Sequence, residues 1–461
     1  MLLGVTSYDW LFFNLPFLGK QNQQLCQFQG DETWTTRNCT TENICANLKT
    51  IKFKPDVDDS RYIDNWQNSM DLICKSPREI GLIGQMYFIG LIMGLPFLTT
   101  LSDKYGRKPI FLFTIFTNML CQYIIFFTSN FVLTLFCLFV EGVLWSGQNV
   151  VGMQYLDEIL PSRYKEDIFT IMFIAGSSIS LLIPLNYMLI SSSFIGLSLI
   201  GLATITVACL GVPWYIPESP KWLYSKGRYD EAREVFYRIA AVNSVVLTSD
   251  IRFDKEEEGQ LRIAREYEKI SLTKVSSIFS DEVSKRNVII LMIQWTVGSV
   301  VNYIISFRIA KLHGDMFYNA VSIAVAHIIG QLCCNYFIKK MGTRATFKSM
   351  ESLTLLATIC IMYIQSGHHQ DEDHSNPKST LLMAALLLLA GFGYNDSLLE
   401  LLHIDLHRLP NPRARQRNEV VQPGLSPPDY SSSSNCPTSK AVGFVNYCCA
   451  LERSDRKCLF S

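Results

Sequence analysis

Long apolar runs, broken at short intervals by charged or polar links, set the pattern of this chain. Nine runs are long enough to cross a bilayer as helices: 80–101, 109–128, 131–154, 168–190, 193–215, 287–308, 317–338, 346–366 and 379–397. A helix needs about 20 apolar residues to span the hydrocarbon, and only helices or closed barrels satisfy their backbone groups there. A tenth run, 1–18, is weaker, because it contains Asp9 and Pro16. No basic residues precede its apolar stretch and no small-residue cleavage site follows, so it does not read as a signal peptide. It is expected to be a trimmed first span. The pattern predicts an all-α polytopic membrane protein.

The polar links give an orientation. Links 102–108 (Lys104, Arg107, Lys108), 155–167 (Arg163, Lys165) and 339–345 (Lys339, Lys340, Arg344) are basic, as is the long link 216–286. The turns at 129–130 and 191–192 carry no Lys or Arg. Basic and neutral links alternate, which places the basic side in the cytoplasm and segment 19–79 outside. That segment holds Cys26, Cys39, Cys45 and Cys74 and the sequon "NCT" at Asn38. Four cysteines in an oxidising compartment predict two disulfides, with three connectivities open, and Asn38 is a candidate glycosylation site. The chain thus divides into a partial first span (1–18), an extracellular cysteine-bearing loop (19–79), spans of an N-terminal half (80–215), a cytoplasmic loop (216–286), spans of a partial C-terminal half (287–397) and a tail (398–461).

Composition agrees. Of 461 residues, 49% are hydrophobic and only 18% charged. The formal net charge is zero, which gives no electrostatic reason to expect a nucleic-acid partner. The lipid bilayer is the partner the composition demands; oligomeric state is left open. No Walker A sequence, G-x-S-x-G or H-E-x-x-H appears, so neither ATP drive nor a membrane hydrolase has support. No cofactor is expected. "GHHQDEDH" at 367–374 clusters histidines and acids, and reads as a solvated loop rather than a metal site.

Two motifs go further. "LSDKYGRKP" at 101–109 joins the second and third spans. Gly106 permits a tight reversal, and Asp103, Arg107 and Lys108 are placed to pair with carboxylates on neighbouring helix ends. The stretch resembles the signature of the major facilitator superfamily, G-x-L-x-D-x-x-G-R-[RK], with Thr99 in place of the first glycine. "PESPKWLYSKGRYDEA" at 217–232 follows the sixth span and is similar to a signature of organic ion transporters and sugar porters. The large outer loop ending in "DLIC" (71–74) and the stretch "GDMFYNA" (314–320) resemble organic cation and carnitine transporters rather than sugar porters. The resemblance implies a major facilitator fold of two pseudo-symmetric helical halves. It also implies a plasma-membrane transporter of small organic ions working by alternating access, and not an enzyme. Gating falls to Asp103, Gly106, Arg107, Lys108 and Glu218, with Glu218 reaching the basic cluster.

The tail departs from the resemblance. After Leu406, "HRLPNPRARQRNEVVQPGLSPPDYSSSSN" is rich in Pro, Arg and Ser and reads as disordered or inserted. The family has twelve spans and about ten are expected here, through unspliced sequence around 407–435 and a shifted frame near 452, or through a short isoform. A truncated, non-transporting isoform and a sugar-porter-like carrier are the competing readings.

Polar residues inside spans are the candidate substrate contacts, since each is costly in hydrocarbon. Span 4 offers Trp145, Gln148 and Asn149, besides Glu141; adjacent Gln148 and Asn149 cannot share one face. Span 7 offers Trp295, Asn302 and Tyr303. By resemblance, Trp295 takes an aromatic pocket position and Asn302 stands where a tyrosine is usual. Aromatic walls suit quaternary ammonium groups. His327 stands where cation carriers keep an acid. Arg308 would attract a carboxylate, so a zwitterion such as carnitine, a cation and an anion are all compatible. The plain alternative for Trp145, Trp295 and His327 is packing.

Overall fold

The computed structural model describes residues 1–245, apart from 29–32, 37–38, 49 and 162–163, and residues 315–367, with isolated positions within 285–304 and 385–387. Expected spans 287–308 and 379–397, most of the loop beyond 245, and the tail 398–461 lie outside the described residues.

The first run is helical but broken into α1 (Leu2–Thr6), α2 (Asp9–Phe12) and α3 (Leu15–Leu18). Val5, Phe12, Leu15, Phe17 and Leu18 are buried, and so are the polar Asp9 and Asn14. The polar residues that weakened this run as a span therefore lie inside the protein, where Asn14 Oδ1 accepts a 2.8 Å hydrogen bond from the Tyr187 hydroxyl.

The segment between the first helices and the first long one folds around two disulfides, Cys26–Cys39 and Cys45–Cys74, which settles the open connectivity. Strands β1 (Gln24–Gln27) and β2 (Lys52–Pro55) pair antiparallel, with Cys26 opposite Phe53. Helix α4 (Thr41–Ala46) completes a small core of Cys26, Ile44, Ile51 and Ile73. Residues 61–65 clamp this domain to the membrane helices. Asn65 Nδ2 donates to the carbonyls of Phe17 (2.8 Å) and Lys20 (2.9 Å). The Asp64 backbone bonds Ser192 and Phe194 across the 191–194 turn. Helix α5 (Trp66–Ser69) then leads toward the first long helix.

Six helices among the described residues are long and apolar enough to cross a membrane. Helix α6 (Pro77–Tyr105) opens with a capping box, Ser76 with Glu79, and Pro77 in the first turn. Gly106 at φ 113° turns the chain into α7 (Arg107–Phe127), a backbone region favouring glycine. Asn130 caps α8 (Phe131–Ser146), which runs on through a π-helical turn at Gly147–Val151 into α9 (Gly152–Ile159). The fourth span is thus longer than the apolar run predicted. Helices α10 (Lys165–Leu189) and α11 (Ile195–Tyr215) follow, then the short α12 (Pro220–Ser225) and α13 (Tyr229–Val242). Asp315 caps α14 (Met316–Met341), which explains the "GDMF" stretch as a helix start, and α15 (Thr343–Gly367) follows Gly342.

Large apolar side chains point outward from these helices: Ile92 is 71% exposed, Phe127 78% and Leu189 75%. Surfaces of this kind belong in lipid. Inside, α6 and α8 approach closely through Gly90, Gly94 and Gly142. A methyl group at any of these would collide with the facing backbone of Phe139, Val143 or Tyr87, the small-residue contact that membrane helices use where lipid removes the hydrophobic drive to pack. Next to the disulfide-bonded segment α10 packs along α14, and Phe17, Ile63, Ile183, Tyr187, Met316 and Phe317 share one apolar cluster.

Candidate functional site

The predicted gating residues converge at the end of the N-terminal helices opposite the disulfide-bonded segment. The Arg107 guanidinium is the hub. It donates to Asp103 Oδ1 (2.5 Å), to the Ser102 hydroxyl (3.0 Å) and, through Nε and Nη2, to both oxygens of Glu158 (3.1–3.3 Å). Its side chain is only 7% exposed and that of Glu158 13%. A planar fork meeting a carboxylate is the strong form of this contact. Glu158, at the end of α9, was not singled out from sequence, although "LDEIL" before a basic link carried the signal.

Glu218 reaches the cluster by a different route from the one expected. Its Oε1 accepts the backbone N–H groups of Arg107 and Lys108, both at 3.1 Å, and of Ser219 at 2.8 Å. The carboxylate therefore caps the positive end of α7 rather than pairing with the side chains. A side chain at Gly106 would strike the Glu218 carboxylate, so the glycine serves both the turn and this approach. Lys108 also departs from expectation: its ammonium donates to the Pro213 carbonyl (3.0 Å). The indole of Trp222 donates to the Asp103 carbonyl (3.0 Å), and Tyr155 to that of Pro217. Asp157 holds Lys165 and, at 3.8 Å, Lys221. Burial and the Lys165 charge push the Lys221 ammonium below the usual lysine range. Together these contacts tie α6, α7, α9 and α12 into one inner plate.

At mid-membrane the π-helical turn decides which polar residue faces where. Gln148 is fully buried toward α7: it accepts from Asn118 Nδ2 and donates to Ser7 (3.3 Å) and to the Gly4 carbonyl (3.4 Å). Its bonds tie α7 to the first helix, so it is a packing residue rather than a cavity contact. Asn149, its neighbour, is half-buried on another face and donates to the Tyr8 hydroxyl (3.0 Å). Tyr8 in turn meets Trp145 edge-on, centroids 6.0 Å apart. Tyr8 was not among the sequence candidates. Nor was Asp9, whose carboxylate lies 3.0 Å from where a methyl group on Gly176 of α10 would stand. His327 lies half-buried on α14. Trp295, Asn302, Tyr303, Arg308, Asn38 and the acidic histidine stretch at 368–374 lie outside the described residues.

The chain is similar to several curated proteins. It is 25% identical over 316 residues to solute carrier family 22 member 15 of Xenopus tropicalis, covering 68% of this chain and 55% of that protein. It is 26% identical over 307 residues to organic cation/carnitine transporter 2 of Mus musculus, covering 64% and 52%. For the Rattus norvegicus protein of that name the figures are 28% over 323 residues, 68% and 54%. The chain spans about half the length of the curated relatives it matches. A solved structure of the xylose transporter XylE from E. coli overlays with a TM-score of 0.48 at 12% identity, over 88% of both chains. The model of the Major Facilitator Superfamily matches residues 65–395, well over half of the chain. With its long apolar helices and the charged plate around Arg107, the chain belongs to the Major Facilitator Superfamily, a family of membrane carriers rather than enzymes.

Proposed function

We propose that this chain works as a secondary carrier of a small organic cation or zwitterion, carnitine-like in chemistry, at the plasma membrane. The carrying observation is the mid-membrane corner in which Trp145 meets Tyr8 edge-on and Asn149 bonds the Tyr8 hydroxyl. Two aromatic faces and an amide suit a quaternary ammonium group, at about 0.5–2 kcal/mol per aromatic contact. The similarity to organic cation/carnitine transporter 2 supports the same class. His327 and, from the seventh span, Trp295, Asn302 and Tyr303 would complete the site from the other half.

The cycle is alternating access, in which two halves rock about a central site. Phe17, Tyr187 and Phe317, in mutual ring contact, would close the side that carries the disulfide-bonded segment. The plate around Arg107 would keep the N-terminal half rigid as the halves move.

The test is uptake of labelled carnitine and tetraethylammonium into cells, with surface expression measured in parallel. Trp145→Ala should raise KM at matched surface level, and Trp145→Phe should restore most of it. Uptake blocked by xylose or glucose but indifferent to Trp145 would sink this reading in favour of a sugar carrier.

A further inference from the structure

The cytoplasmic end of α11 carries a second, separate constellation. Lys108, from the start of α7, donates to the Pro213 carbonyl at 3.0 Å. Arg238, from α13, donates to the Trp214 carbonyl at 2.7 Å. Two cations from different elements thus meet at the last turn of one membrane helix. Among the described residues neither side chain has a carboxylate within 4.0 Å, whereas Arg107, Lys165, Lys221, Arg228 and Arg233 on the same face all do. The nearby Glu218 carboxylate is directed at backbone amides.

The helix below the two cations is bare on one side. Val207 is 56% exposed, Leu210 67% and Trp214 77%, and these positions are spaced three and four apart, on one stripe of α11. Tyr215 beside them is 82% exposed. Gly211, next to Leu210, has open space around it. Trp and Tyr at the end of a spanning helix mark the headgroup level of the bilayer. An apolar lane running into the hydrocarbon therefore ends at two cations that make no salt bridge among the described residues, at headgroup depth.

We propose that Lys108, Arg238, Trp214 and Tyr215 form a binding site for an anionic phospholipid of the cytoplasmic leaflet. The phosphate diester bridges the ammonium and the guanidinium, which retain N–H donors beyond their bonds to the helix carbonyls. An acyl chain lies along Trp214, Leu210 and Val207. Bridging α7, α11 and α13, the lipid would pin the amphipathic α13 to the helix bundle.

A soluble phosphate shares the headgroup chemistry but not the acyl lane, and the experiment separates them. The full chain is placed in nanodiscs of phosphatidylcholine with about a tenth phosphatidylglycerol, and lipid retained after delipidation is counted by native mass spectrometry. Wild type should hold phosphatidylglycerol in preference. Arg238→Gln should hold about fivefold less, the loss expected of one basic contact with an anionic lipid. Arg238→Lys should keep most of it, and Arg233→Gln, on the same helix but paired with Asp230, should keep all. Thermal midpoints, with and without phosphatidylglycerol, should follow the same order. Equal retention by wild type and Arg238→Gln would overturn the site, as would an equal loss in Arg233→Gln. Displacement of the lipid by millimolar inorganic phosphate or glycerol phosphate would replace the lipid with a soluble anion.

Discussion

Phe17 at the end of the first broken helix and Phe317 at the start of α14 lie parallel and offset, ring planes 5° apart and centroids 6.2 Å apart. Tyr187 of α10 flanks both, at 5.4 Å from Phe17 and 6.4 Å from Phe317. Here the first helices and α10 meet α14 on the side of the disulfide-bonded segment. Aromatic pairs contribute about 0.5–1.5 kcal/mol beyond area burial. Phe317→Ala should therefore shift the population toward outward-open by roughly two- to tenfold. Labelling a cysteine placed at Ile323 with an impermeant maleimide added outside reads this. An unchanged labelling rate would show that the stack does not hold the closure.

Lys20 sits beside the same closure and gives it a pH dependence. Its ammonium donates to the Arg61 carbonyl. Burial pulls its pKa from the ordinary lysine value down to about 8, with Arg61 adding to that, while Asp59 and Asp315 oppose it. A conformation that exposes Lys20 restores the ordinary value, near 10.5. A lowered pKa means the closed form binds fewer protons. Its advantage is full above the exposed value and is lost as pH falls through about 8. Raising pH from 7 to 9 should thus slow labelling at the same outer cysteine, and Lys20→Met should abolish that dependence. Slower labelling at pH 7 than at pH 9, corrected for thiolate fraction with an exposed control cysteine, would contradict the sign.

Arg107 is buried with a carboxylate on each side, so removing it leaves Glu158 without its partner at 13% side-chain exposure. Breaking such a pair costs about 3–5 kcal/mol. Arg107→Ala should lower thermal stability clearly and slow uptake. Arg107→Lys keeps the charge but not the fork geometry and should recover stability only in part. The double replacement Arg107→Met with Glu158→Leu should be more stable than either single change. Additive losses in that cycle would show that the two groups do not interact.

The disulfides close loops of 13 and 29 residues. Loop-closure entropy alone assigns them about 2.9 and about 3.6 kcal/mol of stabilisation of the outer domain. Replacing Cys45 and Cys74 with Ser should therefore destabilise more than replacing Cys26 and Cys39. The larger loop also joins α4 to the lead-in of α6, so its loss should reduce surface expression more. Thiol counting on the unfolded, unreduced protein should find all four cysteines blocked. A reverse order of the two double variants in a protease-protection assay would mean that packing of Ile44 and Ile73, rather than chain closure, dominates.

Six of the long apolar helices were legible in the amino-acid pattern, as was the gathering of Asp103, Gly106, Arg107, Lys108 and Glu218 at one end of them. Each of those rests on a local property. Apolar length fixes a membrane helix, and the turn at Gly106 can be inferred from a tight charged reversal. The first run was expected as a single trimmed span, and its division into three short helices came only with the fold. What the tertiary structure alone decided is which groups meet. Glu218 lies more than a hundred residues from Arg107 in the chain, and whether its carboxylate meets a guanidinium or a helix N-terminus depends on how α7 and the 217–222 segment dock. Glu158 became the partner of Arg107 because α9 ends beside α7. Gln148 and Asn149 are adjacent in sequence, and the choice of which one faces inward was made by the π-helical turn, whose extra backbone length no periodicity of 3.6 encodes. Likewise, one disulfide pairing out of three was selected when the β1–β2 ribbon and α4 packed around Ile44. Contacts between distant segments depend on the packed whole, and a one-dimensional pattern records only the residues available to make them.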